Sequence, residues 1–445
     1  MPVPLLTIGC ARSAAARLAR RFAAALCVLT SVAAANADDG TTISRGAYLA
    51  RAGDCIACHI ANAGGQPFAG GLPMHSPFGT IYTTNITPDL QTGIGRYTLS
   101  DFSRALRQGV RRDGARLYPA MPFASYAATT DADIRALYDY FMKEVAPVRW
   151  VPPQTDLPFP FNQRWAMYFW DAAFVKHAVF QPHDDRSVEW NRGAYLVRTL
   201  GHCGSCHTPR GIAYQERGYD ESSPIFLTGA VVDHWAAANL NGDRASGLGR
   251  RSEADLVKFL RTGHAAGDAA FGSMKEVVQE STQHLTEADL SAIARYLKSL
   301  PARGEVAQFR PAATVPPTMS PATLKEQPGA GIYNGFCIKC HGVDGMGKPG
   351  KFPALAGNPA VLLPNADSLI RLLIEGSTAP VTATGPAAEK MPPFAPKLSD
   401  AEMADVLTYL RHNWGNQATA VTHRSVRKLH EALVTERTKA AQSPP

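Results

Sequence analysis

Apolar residues recur at helical spacing in three places along the chain, and the same capping signal precedes each run. Ile134, Leu137, Tyr138 and Phe141 follow Thr130-x-x-Asp133. Leu290, Ile293, Tyr296 and Leu297 follow Thr286-x-x-Asp289, and Met403, Val406, Leu407 and Leu410 follow Ser399-x-x-Glu402. Positions three and four apart share one helix face, so each run predicts an amphipathic helix. The Ser/Thr start with an acid three residues on predicts a capping box, Asp standing in for the longer Glu in the first two. Upstream of each lies a second helical segment, over 101–106, 254–260 and 367–373. These are closed by Gly109, Gly263 and Gly376, where Gly fits a left-handed C-terminal cap. Further upstream, Arg45-Gly-Ala-Tyr-Leu-Ala-Arg51 returns as Arg192-Gly-Ala-Tyr-Leu-Val-Arg198, and more weakly as Gly331-Ile-Tyr-Asn334. The pattern predicts a mostly α chain built from three repeats of one helical unit.

Each repeat carries a cysteine pair behind its first helix. The pairs are Cys55-Ile-Ala-Cys58-His59, Cys203-Gly-Ser-Cys206-His207 and Cys337-Ile-Lys-Cys340-His341. C-x-x-C-H is the attachment signature of c-type haem. Thiols three apart on a helical turn face one side and reach the two vinyl groups of one haem. The next residue, His, then lies under the iron as its proximal ligand. A redox dithiol has no need of the His, and a zinc site would pair two such motifs. Three covalent haem c groups are therefore expected, held by Cys55, Cys58, Cys203, Cys206, Cys337 and Cys340.

The second axial ligand is read from position. Between the last two helices of each repeat one Met stands in a loop: Met121, Met274 and Met391, following the proximal His by 62, 67 and 50 residues. A lone Met usually packs in a core, but recurrence at one position in three repeats favours ligation, which raises the potential of the iron. The expected pairs are His59 with Met121, His207 with Met274, and His341 with Met391. His264 is the rival of Met274. Each proximal His should give its other ring nitrogen to a carbonyl; Pro353 is the candidate for His341. His75, His177, His183, His202, His234 and His284 read as ordinary core or surface residues.

The expected organisation is a signal peptide over 1–37, repeat I over 38–147, an aromatic linker over 148–187, and repeat II over 188–301. A Pro/Ala-rich linker over 302–325, repeat III over 326–417 and a tail over 418–445 follow. The leader reading rests on Arg12, Arg17, Arg20 and Arg21, an apolar stretch over 22–35, and Ala35-Asn36-Ala37 as a cleavage site. An uncleaved anchor is the competing reading, weakened by the shortness of the run. Cys10 and Cys27 fall in this leader. The linker over 148–187, with Trp150, Trp165 and Trp170, reads as a strap between repeats, or else as a membrane or docking surface. The formal charge of +7 loses four Arg and no acid with the leader, leaving +3. Six haem propionates would bring this to about −3, so the basic pI does not indicate nucleic acid.

Longer strings carry a family resemblance. Asn85-Ile-Thr-Pro-Asp89, Thr92-Gly-Ile-Gly95 and Leu117-Tyr-Pro-Ala-Met121-Pro lie in repeat I. Asn239-Leu240, Phe271-Gly-Ser-Met274 and Ser281-Thr-Gln-His-Leu-Thr-Glu-Ala-Asp289 lie in repeat II, and Phe352-Pro-Ala-Leu-Ala-Gly-Asn358 in repeat III. They resemble the triheme cytochrome c subunit of membrane-bound alcohol dehydrogenases, related to those of gluconate and flavin-dependent sugar dehydrogenases. The resemblance implies three tandem class I cytochrome c domains and an electron-transfer subunit, with no catalytic residue of its own. The substrate site would lie on a large quinoprotein, flavoprotein or molybdoprotein subunit, with a small third subunit also among the partners. Ubiquinone or another respiratory acceptor would take the electrons, at the periplasmic face of the inner membrane. A free-standing shuttle and a haem peroxidase are the competing functions.

Overall fold

Ser44 opens the described fold by accepting a hydrogen bond from the Ala47 N–H, at 3.1 Å, at the start of helix α1 (Arg45–Ala52). The computed structural model describes Met1 and residues 43–61, 65–155, 157–303, 308–309 and 327–442. The expected leader, with Cys10 and Cys27, and most of the 302–325 linker lie outside the described residues. Repeat I continues with α2 (Leu99–Gln108) and α3 (Asp131–Lys143). The linker contributes α4 (Ala166–Phe174). Repeat II has α5 (Val188–Tyr195), α6 (Glu253–Thr262) and α7 (Glu287–Ser299). Repeat III has α8 (Ala330–Phe336), α9 (Asp367–Glu375) and α10 (Asp400–His412). Described strands are short antiparallel pairs. The tail forms helix α11 (His423–Gln442), which buries Val426, Leu429 and Leu433 against repeat III.

The first and last helices of each repeat cross in backbone contact, and a glycine permits it. A Cβ on Gly46 would stand 2.2 Å from the Ala136 carbonyl oxygen, and one on Gly193 2.0 Å from that of Ala292. In repeat III the residue in this role is Gly329, 2.3 Å from the Asp405 oxygen, while Gly331 meets nothing within 4 Å. The sequence echo at Gly331 is therefore out of register by two residues.

The capping boxes are complete at Ser399–Glu402, and also at Thr98–Asp101 and Ser252–Asp255. At Thr130 and Thr286 only half of the box forms. Aspartate is long enough, as Asp101 shows; here stronger partners claim it. Asp133 takes the Arg45 guanidinium (Nε at 3.1 Å) and the Tyr195 hydroxyl at 2.6 Å. Asp289 takes Arg192 through two nitrogens at 2.7 Å and the Tyr48 hydroxyl at 2.6 Å. Charge-assisted bonds of this kind outcompete a neutral amide donor. The pattern is reciprocal, because each repeat's Arg holds its own Asp while its Tyr reaches the other repeat's Asp. Leu49, Leu137 and Phe141 of repeat I accordingly share one apolar core with Leu196, Leu290 and Tyr296 of repeat II. Repeat III has its own core around Tyr333, Ile370, Met403 and Leu407.

Gly109 and Gly263 end α2 and α6 in the left-handed conformation as expected. Gly376 has a positive φ of 70° but an extended ψ, so α9 turns directly into the strand pair Ser377–Thr378 with Lys390–Met391.

Candidate haem-attachment sites

Each first helix delivers its cysteine pair through one residue bent to positive φ or a short break. In repeat I, Asp54 (φ 51°) turns the chain into the one-turn helix Cys55–Cys58. In repeat II, His202 (φ 34°) does the same before Cys203. Repeat II has one residue more between its Arg-Gly pair and its first Cys. A π-helical turn over Leu196–Leu200 absorbs it, as single insertions into helices commonly are. The six cysteines are unpaired. Burial pushes the thiols of Cys55, Cys58 and Cys203 up to about 12, and that of Cys337 up to about 11. Among the described residues no three His, Cys, Asp or Glu converge as a metal cage.

The three motif histidines share one geometry. Nδ1 of His59 lies 2.7 Å from the Thr84 carbonyl oxygen, Nδ1 of His207 2.7 Å from that of Ala238, and Nδ1 of His341 2.9 Å from that of Pro353. A carbonyl only accepts, so the proton resides on Nδ1 and the lone pair on Nε2. Burial lowers the pKa of all three rings and favours the neutral form that ligates. Fixed tautomer, neutral ring and adjacent unpaired thiols are the donor set that covalent haem requires, and the residues present fit it.

Pro353 is the carbonyl expected from the sequence; Thr84 and Ala238 were not legible there. The signal lay in the next residue. Asn85 and Asn239 are buried, and each ties its loop to the chain leaving the repeat's last helix. Asn85 Nδ2 donates to the Val148 carbonyl at 2.8 Å, and Asn239 Nδ2 to that of Arg303 at 3.1 Å. Each Asn also accepts a backbone N–H two residues on, from Thr87 or Asn241.

The three methionines stand between the second and third helices of their repeats, each half-buried. Met121 lies in a turn between Pro119 and Pro122, its N–H donating to the Tyr118 carbonyl at 3.1 Å. Met274 lies in the one-turn helix Ser273–Glu276 behind Gly272. Met391 lies on a two-residue strand opposite Ser377. His264 is buried on the strand His264–Ala265, and its Nε2 has no hydrogen-bond partner.

The first two attachment segments adjoin one another. The Cys58 thiol, raised first by burial, is raised further by Asp54 and by Cys206 of the second motif. The Tyr126 ring, in the helix behind Met121, meets the His202 ring edge-on at 5.6 Å, and its hydroxyl donates to the Gly53 carbonyl at 2.8 Å. His202 thus stands half-buried at the junction of the two motifs. Repeat III joins repeat II through the hairpin Ala230–Val232/Trp235–Ala237. There the Ala236 N–H donates to Ser368 Oγ at 2.8 Å, and the Arg371 guanidinium stacks over Trp235 at 4.5 Å. The Ala354 N–H, next to the carbonyl that holds His341, donates to Gly267 of repeat II at 2.7 Å.

Residues 326–414 match the family model for cytochrome c. The chain is 46% identical to the gluconate 2-dehydrogenase cytochrome c subunit of Pantoea cypripedii, over 89% of this chain and 92% of that one. It is 44% identical to the cytochrome c subunit of the quinone-dependent alcohol dehydrogenase of Gluconobacter oxydans, over 91% and 86%. It is 41% identical to the fructose dehydrogenase cytochrome subunit of Gluconobacter japonicus, over 87% and 82%.

Proposed function

The chain belongs to the family of cytochrome c subunits of alcohol, gluconate and fructose dehydrogenases, and we propose that it is the triheme electron-transfer subunit of such a complex. The observation that carries the number three is the repeated proximal geometry, a C-x-x-C-H whose His is held by Nδ1 on a backbone carbonyl. In this reading Cys55 and Cys58, Cys203 and Cys206, and Cys337 and Cys340 form the thioethers. His59 with Met121, His207 with Met274, and His341 with Met391 would hold the three irons. Bound haem supplies one-electron chemistry. The protein's part is to hold each ring at a fixed orientation, exclude water and place the sites within reach of one another. Tandem cytochrome c domains over 38–147, 188–301 and 326–417 are part of the same proposal, the first two packed as a pair.

A catalytic partner subunit follows from the family. We propose that it oxidises an alcohol or sugar and passes the electrons to this chain at the periplasmic face of the inner membrane. Ubiquinone, or another respiratory acceptor, then takes them. A Met opposite each His would leave no open iron position, and this supports electron transfer over the peroxidase reading, which needs one.

Intact mass of the mature protein tests the haem count. Three haem masses above the polypeptide are expected, and one or two would overturn the assignment. Purification from mildly solubilised membranes tests the partner. Co-elution with a large cofactor-bearing subunit is expected; elution alone would favour the free-standing shuttle.

A further inference from the structure

The linker between repeats I and II leaves its aromatic residues outward. Phe159, Trp165 and Phe169 are 79, 67 and 64% exposed, with Tyr168 beside them. Inward-facing residues fasten this layer to the first Met loop. Trp170 packs edge-on against Phe123 at 5.7 Å, and the Arg164 guanidinium stacks over Tyr118 at 4.4 Å, three residues from Met121. Repeat II extends the same surface. The Trp170 indole N–H donates to the Ala213 carbonyl at 2.9 Å, and its neighbour Ile212 is fully exposed at a loop tip. The Phe161 ring, half exposed, meets Phe78 at 4.6 Å, and Phe78 meets Tyr214 of that loop at 6.0 Å. Three separate stretches of chain thus present apolar side chains together.

The rim is basic. Arg116 lies over the Tyr168 ring at 5.2 Å and closes a bridge with Val110. The turn between them carries Arg111 and Arg112, about half exposed; Arg111 pairs with the exposed Asp113, whereas Arg112 and Arg116 pair with Asp101 and Asp171, whose carboxylates are largely covered. Lys176, beyond the end of α4, is 77% exposed, with the largely covered Asp220 at 3.8 Å, so the accessible charge of the rim is mainly positive. Exposed Trp, Tyr and Phe with apolar bodies and polar tips, framed by cations, match the boundary between lipid headgroups and acyl chains. Among the described residues no helix is long and apolar enough to cross a membrane.

We propose that this face, α4 with residues 159–165 and the Ile212 loop tip, seats in the surface of an anionic phospholipid bilayer without spanning it. The proposal rests on the reading, given above, that the chain works at the periplasmic face of the inner membrane, and names the surface that would hold it there. It places the Met121 loop nearest the lipid, so the first attachment site faces the lipid-dissolved acceptor. Charge complementarity favours lipid here, since the rim is cationic and bacterial bilayers carry anionic headgroups. A protein partner is an outcome of the test.

The test is co-sedimentation of the purified holoprotein with vesicles of phosphatidylcholine alone or with phosphatidylglycerol added. A triple variant, F159S/W165S/F169S, is compared, its fold controlled by an unchanged haem absorption spectrum. The wild type should pellet with the mixed vesicles, less with phosphatidylcholine alone, and the variant should lose binding at least tenfold. A second variant, I212S, should weaken it severalfold without touching the linker. If the wild type binds and the triple variant binds equally, peripheral attachment stands but this face is not its seat. If neither binds any vesicle, the chain's own membrane attachment falls with the proposal. If the triple variant binds vesicles normally but no longer co-elutes with the catalytic subunit, the face belongs to that partner and the proposal is overturned.

Discussion

Met121 stands in a turn held between two prolines, and its proposed ligation has a measurable consequence. Thioether ligation raises the potential of a His-ligated iron, and axial ligands set haem potentials over a span of about 0.8 V. Met121→Ala should therefore lower the midpoint of one haem and leave the other two in place. A redox titration with all three midpoints unchanged would remove Met121 from the assignment. A second residue gives a stability prediction with a sign. Burial raises the Glu216 carboxyl to about 7, against the pull of Arg210 and Ser205. The folded chain thus holds this proton more tightly than the unfolded chain. The stability it contributes is full below the unfolded value of 4.5 and is lost as pH rises through about 7. The loss amounts to about 3 kcal/mol at most. Glu216→Gln should flatten the melting-temperature profile between these pH values and raise stability at neutral pH.

At the scale of elements, the crossing of first and last helices depends on a missing Cβ. Gly193→Ala puts a methyl 2.0 Å from the Ala292 oxygen, and Gly331→Ala puts one in open space. The first should cost about 1–3 kcal/mol through forced separation of α5 and α7. The second should be neutral or stabilise by about 0.5–1 kcal/mol, because alanine restricts the unfolded chain and suits a helix. Thermal unfolding of the two holoproteins separates these outcomes, and equal melting temperatures would contradict the register described for repeat III. Helix existence and order were legible from periodicity and caps, since both are local signals. The use of Asp133 and Asp289 was not. Nothing within four residues shows that Arg45 and Tyr195, or Arg192 and Tyr48, will arrive to displace the backbone N–H.

At the scale of the whole molecule, repeats I and II behave as a pair. Their core is continuous, and reciprocal Tyr–Asp bonds cross between them. A chain ended after residue 303 should keep both of its attachment sites folded and soluble. One ended after residue 147 exposes the apolar face that Leu196 and Tyr296 cover, and should aggregate or fail to mature. Size-exclusion chromatography with haem staining distinguishes them, and a soluble, haem-bearing short fragment would show that the shared core is dispensable. The aromatic linker is the tie within this pair, anchored through Val148 on Asn85 and through Trp170 on Ala213.

Three cysteine–histidine motifs, the helices that frame them and the place of each methionine between the second and third helices were determined by sequence alone; that Met274 stands in a one-turn helix and Met391 on a strand, not in loops, was not. Covalent attachment needs its reacting groups within one turn of chain, and helical amphipathicity repeats every few residues. The carbonyls of Thr84 and Ala238, the adjacency of the first two motifs at His202, and the outward layer of Phe159, Trp165 and Phe169 were decided only by tertiary structure. Each joins residues 25 or more positions apart, or depends on which side of a helix a neighbouring repeat covers. Such contacts follow from packing geometry, which no local pattern of residues encodes.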